Sequence, residues 1–184
     1  MKQHVVTPAA APPAKAWEDD AQTVEAFRRG MRRMTGAISL VTTRDGQDAP
    51  HGMAASAVVS VSMQPPSLLV SVNQSAMMHA VVSATGIFCV NILDETAQPL
   101  VEIFGRSDRR GERFLSGAWE RGWCELPYLP SALCCVFCAV DAQMEYGTHT
   151  LLVGRVRSVL VRDSGVPLLW GDGAFVSATP SKAS

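Results

Sequence analysis

The sequence predicts a mainly β fold with short helices, its antiparallel strands closing into a barrel. Three observations predict it. Runs of β-branched and apolar residues recur at close intervals along the 184 residues, which is the period of strands. Turn signals such as Asp45-Gly46 separate these runs, with only short stretches of helical period between them. No G-x-G-x-x-G follows a strand and opens a helix, so an open α/β sheet of the Rossmann type is not expected.

Taken in order, residues 1–20 are rich in Ala and Pro, lack periodicity and end on Glu18, Asp19 and Asp20, as a flexible arm does. Val24, Phe27, Met31 and Met34 then recur at helical spacing, with Arg28, Arg29, Arg32 and Arg33 on other faces, and Gly36 is expected to close this amphipathic helix. From Ala37 the period changes. Residues 37–44 are expected to form a strand that pairs across Asp45-Gly46 with the segment after Asp48. Further strands are expected at 54–61, 67–73, 86–93, 133–145, 150–162, 168–170 and 174–177, with short helices at 77–84 and 96–104. Val140, Ala142 and Met144 alternate with Asp141, Gln143 and Glu145, the pattern of a strand with one buried and one wet face. Residues 21–178 are expected to make one domain, with 179–184 a flexible tail.

Composition narrows the partner. With 16 Lys+Arg against 17 Asp+Glu and a net charge of -1, there is no basic field for nucleic acid or anionic lipid. The apolar runs fall far short of the roughly 20 residues that span a bilayer, and the start of the chain does not read as a secretory signal. A cytoplasmic protein with a small-molecule partner is expected. The five cysteines do not suggest a disulfide framework. Cys135 and Cys138 form a C-x-x-C, but it lies in an apolar β run with no companion ligand pair, so core thiols and no metal site are expected.

Three segments are candidates for chemistry. Between Pro50 and Ser62, the small residues Gly52, Ala54, Ala55 and Ala57 either let a planar ring approach the backbone or merely fill a tight barrel corner. At Asn73-Gln-Ser-Ala-Met-Met78 a strand ends and a helix begins, so Asn73 or Ser75 is an ordinary N-cap or the helix start receives a phosphate. His149, in Gly147-Thr-His-Thr150, is either an exposed turn residue or a group able to donate or accept at a reacting ring.

Together these segments resemble the flavin reductase-like, FMN-binding split-barrel family, which includes reductase partners of two-component monooxygenases. The resemblance is carried by Phe27-Arg28, Val41-Thr42-Thr43, His51-Gly-Met-Ala-Ala-Ser-Ala57, Ser60-Val-Ser62 with Pro65-Pro66, Phe88-Cys-Val-Asn91, Phe104-Gly105, Arg113-Phe114, Trp119, Gly147-Thr-His149 and Pro167-Leu-Leu-Trp170, over roughly residues 22–178. It implies an antiparallel Greek-key split β-barrel that takes FMN or FAD, uses NADH or NADPH as co-substrate, and forms a homodimer. Pro50, His51, Gly52, Met53, Ala54, Ser56 and Ala57 are implied to line the isoalloxazine. Ser71, Val72 and Asn73 are implied beside the ribityl chain, and Ser75, Met77 and Met78 at the phosphate. Phe104 is implied to close that end, with Leu168, Leu169 and Trp170 near the nicotinamide and His149 where the two rings meet. The chain departs from the family at Met77 and Met78, where a hydroxyl or basic residue is common, so the phosphate contact is weaker or comes from another group. The implied activity is transfer of a hydride from reduced nicotinamide to flavin, with reduced flavin passing to a separate oxygenase. The same fold also allows a reductase that keeps its flavin and serves another acceptor, such as a cobalt corrinoid, or a non-catalytic flavin- or haem-binding barrel.

Overall fold

The structure, a computed structural model, describes residues 20–178; the expected tail and all but the last residue of the expected arm lie outside them. The chain divides at Met34/Thr35 into two compact units, each described by itself.

The first unit contains helix α1 (Ala21–Arg32). Asp20 caps it, its carboxylate accepting from the Thr23 N–H and hydroxyl at 2.7 Å each, which satisfies an amide with no partner inside the helix. The helix ends at Arg32 rather than at Gly36, because the Arg33 N–H bonds back to Gly30 and tightens the last turn. Val24, Phe27 and Met31 share one face, and all are exposed.

The second unit is built on a seven-stranded antiparallel sheet. Its strands are β2 (Ser39–Arg44), β3 (Pro50–Ala55), β4 (Val58–Met63), β5 (Pro66–Asn73), β6 (Ile87–Ile92), β9 (Cys134–Tyr146) and β10 (His149–Val161), in the order β3-β2-β6-β9-β10-β5-β4. Three of its links are hairpins: β2 to β3, β4 to β5 and β9 to β10. The link from β5 to β6 crosses over through helix α2 (Met77–Thr85), which is a Greek-key arrangement. Smaller strands complete the unit. β1 (Gly36–Ala37), β11 (Leu169–Gly171) and β12 (Ala174–Val176) form a three-stranded sheet, and β7 (Glu120–Arg121) pairs with β8 (Pro127–Tyr128).

Where a single strand is expected over 54–61, the structure has two. β3 and β4 stand at opposite edges of the sheet, and the chain steps between them at Ser56 and Ala57. The Ser71 N–H bonds the Ala57 carbonyl at 3.2 Å, so the step itself draws one edge towards the other. Hydrophobic period reveals a strand but not which edge it joins.

Each face of the sheet has its own core. Val41, Val70, Val72, Phe88, Cys138 and Leu152 pack with Met78 and Val82 of α2 on one side. On the other, Leu40, Cys89, Cys135 and Phe137 pack with helix α3 (Gln98–Phe104) and with Leu126 and Leu129. Cys135 and Cys138, three apart on a strand, therefore point to opposite faces and cannot share a ligand. Burial pushes the Cys138 thiol up to about 12. The alternation expected at 140–145 fails in burial: residues 141–146 are exposed on both faces, because the end of β9 runs beyond both cores. Among the described residues no helix is long and apolar enough to cross a membrane.

Candidate functional site

A cleft of about 350 Å³ opens where β3, the start of α2, the end of α3 and the loop 105–113 meet. β3 contributes Pro50, His51, Gly52, Met53 and Ala54; α2 and the residues before it contribute Ser75, Ala76, Met77 and Met78; α3 contributes Phe104. The volume falls in the range of small-molecule sites.

Gly52 is explained by packing. A Cβ there would lie 2.8 Å from Phe104 Cε1 and 3.1 Å from the Val41 carbonyl, so the corner reading accounts for this residue. Phe104 is held in turn by Phe114 and Trp119, with ring centroids 5.3 and 5.5 Å away. His51, also on the cleft wall, sets Nε2 3.0 Å from the Asp45 carboxylate. That hydrogen bond, joined by the Gln47 and Ala49 amides, holds the Asp45 carboxyl below the usual range.

The helix start is uncapped by any side chain. The N-cap residue is Ala76, while Asn73 Oδ1 accepts from the Ser75 N–H and hydroxyl at 2.8 and 2.7 Å. Neither Asn73 nor Ser75 is the cap, and the first amides of α2 remain for another acceptor.

Facing them is a cationic loop. Arg106 grips Asp108 through two nitrogens at 3.1 and 2.7 Å, and Arg109 grips Glu112 at 3.1 and 2.6 Å. Those pairs leave Arg110 and Arg113, both on the cleft, without an acidic partner among the described residues. Arg113 donates to the Gly52 carbonyl at 2.6 Å and the Arg106 carbonyl at 3.1 Å, and it stands 5.7 Å over the Phe104 ring. Its Nε is buried without a partner. Burial first, and the like charge of Arg110 second, pull its pKa below the ordinary arginine value, yet a guanidinium stays charged. Two cations with no counter-charge, opposite uncapped amides, suit a phosphate-bearing ligand. Neither arginine is among the residues predicted for the site. The signal was present as four arginines against two acids between Arg106 and Arg113, but which of them pair is a matter of geometry.

A second cleft of about 870 Å³ adjoins the first through Ala54 and Gly105, which line both. Its wall includes Trp170 and Phe175, stacked edge to face with centroids 4.9 Å apart. The remaining predicted residues lie outside both clefts. Ser56 and Ala57 are exposed at the step between β3 and β4, and Ser71 is half-buried on β5. Val72 and Leu168 are buried with their side chains in the core, while Leu169 is half-buried beside Trp170. His149 heads β10 opposite Asn73, its Nδ1 2.9 Å from the Thr148 hydroxyl.

The antiparallel split barrel thus carries a cationic cleft that suits an anionic ligand, with an aromatic cleft beside it. Residues 31–179 match the flavin reductase like domain, and the chain belongs to that family. It is 36% identical over 159 residues to the reductase component of the FADH(2)-dependent resorcinol hydroxylase of Rhizobium sp. (strain MTP-10005), covering 86% of this chain and 89% of the relative. It is 40% identical over 131 residues to the FMN reductase (NADH) RutF of Pseudomonas syringae pv. syringae (strain B728a), covering 71% of this chain and 73% of the relative. The Streptomyces globisporus C-1027 NADH:FAD oxidoreductase SgcE6, solved in complex with NAD and FAD fragments, superposes with a TM-score of 0.82 at 25% identity, over 89% of this chain and 98% of that one.

Proposed function

We propose that this chain is a reduced-nicotinamide:flavin oxidoreductase that takes NADH and FMN or FAD and supplies reduced flavin to a separate oxygenase component. The observation that carries this reading is the pair of adjoining clefts, one cationic and one aromatic, that share Ala54 and Gly105. A bound flavin supplies the ring that accepts a hydride from nicotinamide and passes the electrons on. The protein's share is placement. The stretch 50–54 of β3 lies along the ring, the amides at the start of α2 meet the phosphate, and Phe104, braced by Arg113, closes the wall. Trp170 and Phe175 offer an apolar face to the nicotinamide. Residues 21–178 carry the flavin-reducing domain on this reading.

Mixing the purified protein with NADH and free flavin tests it. Loss of nicotinamide absorbance that depends on added FMN or FAD is expected; turnover only with another acceptor, or none at all, would refute the proposal. We also assign His149 to the meeting point of the two rings, where it orients the nicotinamide carboxamide. The support is the resemblance of Gly147-Thr-His149 to the family's turn; His149 itself heads β10 opposite Asn73, outside both clefts. His149→Ala should then raise the apparent nicotinamide KM or slow hydride transfer by about tenfold, the worth of one well-placed hydrogen bond, with flavin affinity unchanged. Wild-type kinetics in that variant would remove His149 from the site.

A homodimer is part of the same proposal. Val59, Val61 and Met63 on β4 are all more than half exposed, an apolar edge strand that a second copy of the chain could cover. The measured mass in solution should be twice that of the chain. All five cysteines are free thiols, which supports a cytoplasmic location.

A further inference from the structure

We propose that Cys135 is a modification site for hydrogen peroxide and that Cys89 is its resolving partner, so that oxidation ties β6 to β9 through a disulfide and loosens the flavin cleft. The thiol pair stands apart from the flavin reading; only its effect on the cleft rests on that reading.

The ladder brings the two cysteines together. Cys89 lies opposite Phe137 and Asn91 opposite Cys135, so Cys89 and Cys135 are diagonal neighbours on one face of the sheet, in one core. Cys134 and Cys138 belong to the other face, and Cys124 is exposed outside the sheet. The paired thiols differ in character. Burial, above all, keeps the proton on Cys89. Cys135 is pulled the other way: its hydrogen bond with Cys89 outweighs burial and, helped by a backbone hydrogen bond at Leu129, holds its pKa below the ordinary thiol value. One sulfur is thus poised as a thiolate with a protonated sulfur beside it.

Cys135 can also be reached. A cleft of about 150 Å³ is lined by Tyr128, Pro130 and Ala132, by Leu160 to Arg162 at the end of β10, and by Cys135 itself. It has room for a molecule of the size of water or peroxide. In the first step the Cys135 thiolate attacks one peroxide oxygen: an S–O bond forms, the O–O bond breaks, and the hydroxide released takes up the proton that Cys135 gave up. In the second, the Cys89 sulfur attacks the Cys135 sulfur: the S–S bond forms, the S–O bond breaks, and the hydroxyl leaves with the Cys89 proton as a second water. The two thiols lose two electrons and the peroxide gains them. Diagonal Cα atoms on paired strands stand about 7–8 Å apart, more than the roughly 5.5–6 Å usual for a disulfide, so the bond draws β6 and β9 together. It also takes the Cys135 thiol from the Leu129 carbonyl and Asn91 Oδ1, 3.4 and 3.5 Å away, and Leu129 packs in the core that seats Phe104.

Peroxide treatment of the full chain, alkylation of the remaining thiols and peptide mass mapping test the assignment, with FMN titration on the same samples. A peptide pair linked through Cys89 and Cys135, two hydrogens lighter than its reduced parts, is expected, with about tenfold weaker FMN binding, the worth of about one buried hydrogen bond. Dithiothreitol should reverse both. Cys89→Ala should stop at a dimedone-reactive Cys135, Cys135→Ala should leave Cys89 reduced and FMN binding indifferent to peroxide, and Cys124→Ser should respond as wild type does. Oxidation confined to Cys124, oxidation of Cys135 without the link to Cys89, or a linked protein with unchanged FMN affinity overturns the proposal. Mapping of the wild type decides the thiol pair even where an alanine variant does not fold. Reduced wild-type protein that binds no FMN refutes the flavin reading, and with it the effect on the cleft, while the linked peptide still decides the pair.

Discussion

Gly52→Val is expected to weaken flavin binding by roughly 100-fold, about 2.8 kcal/mol, and to lower stability by about 1–3 kcal/mol through overpacking. A Cβ at this position meets three neighbours at once: Phe104 Cε1 at 2.8 Å, the Val41 carbonyl at 3.1 Å and Thr42 Cγ2 at 3.2 Å. Val41 and Thr42 belong to β2, which is paired with β3 on one side and β6 on the other, so its backbone has nowhere to go. Phe104 must move instead. Its ring is almost fully buried against Phe114 and Trp119, and it carries Arg113 on its face. Arg113 in turn holds the carbonyl of residue 52 itself. The added methyl groups therefore displace the aromatic wall, the guanidinium and the β3 edge together, and all three bound the cleft. Titration with FMN and a thermal melt on the same preparation check the two magnitudes. Wild-type affinity in Gly52→Val would show that Phe104 and Arg113 do not form the wall that a flavin meets.

How far such a wall can be foreseen depends on which forces build it. Local signals read well. The β-branched run 38–43 followed by Asp45-Gly46 gives the β2–β3 hairpin, because Asp45 Oδ1 gathers the Gln47 and Ala49 amides within the turn itself. The switch from strand to helix at 73–77 is equally local, and it puts Ser75, Met77 and Met78 on the cleft wall. What is not local reads poorly. The step at Ser56 and Ala57 looks like continuous strand because both flanks share the same residue types, and only closure of the sheet separates them. Met144 alternates correctly for a strand yet is exposed, since alternation reports a pleat and not what lies beneath it. Arg110 and Arg113 are the sharpest case. Asp108 and Glu112 lie within a few residues of all four arginines in sequence, and only the geometry shows that they pair with Arg106 and Arg109.

The second large effect concerns a motif residue whose role the sequence does not disclose. Asn91 in Phe88-Cys-Val-Asn91 is fully buried, and every hydrogen-bonding site of its amide is used. Nδ2 donates to the Leu40 carbonyl at 3.0 Å and to the Thr42 hydroxyl at 3.2 Å. Oδ1 accepts from the Leu129 N–H at 2.8 Å and from the Cys135 thiol at 3.5 Å. Thr42 extends the tie by donating to the Pro127 carbonyl at 2.5 Å. One side chain thus joins β2, β6 and β9 to the irregular segment 126–132, which has no sheet of its own to hold it beyond β8. Leucine matches the size of asparagine closely but orphans the Leu129 amide and the Leu40 contact in an apolar setting. The cost of stranding buried polar groups is about 1–3 kcal/mol each, so Asn91→Leu should lose about 3 kcal/mol and melt roughly 6–12 °C lower. Because Leu126 and Leu129 share the core that seats Phe104, flavin affinity should fall as well, but less than in Gly52→Val. Thermal unfolding read alongside FMN titration separates these outcomes. Retention of the wild-type melting point would show that burial alone, without the amide's four contacts, keeps the segment 126–132 in place.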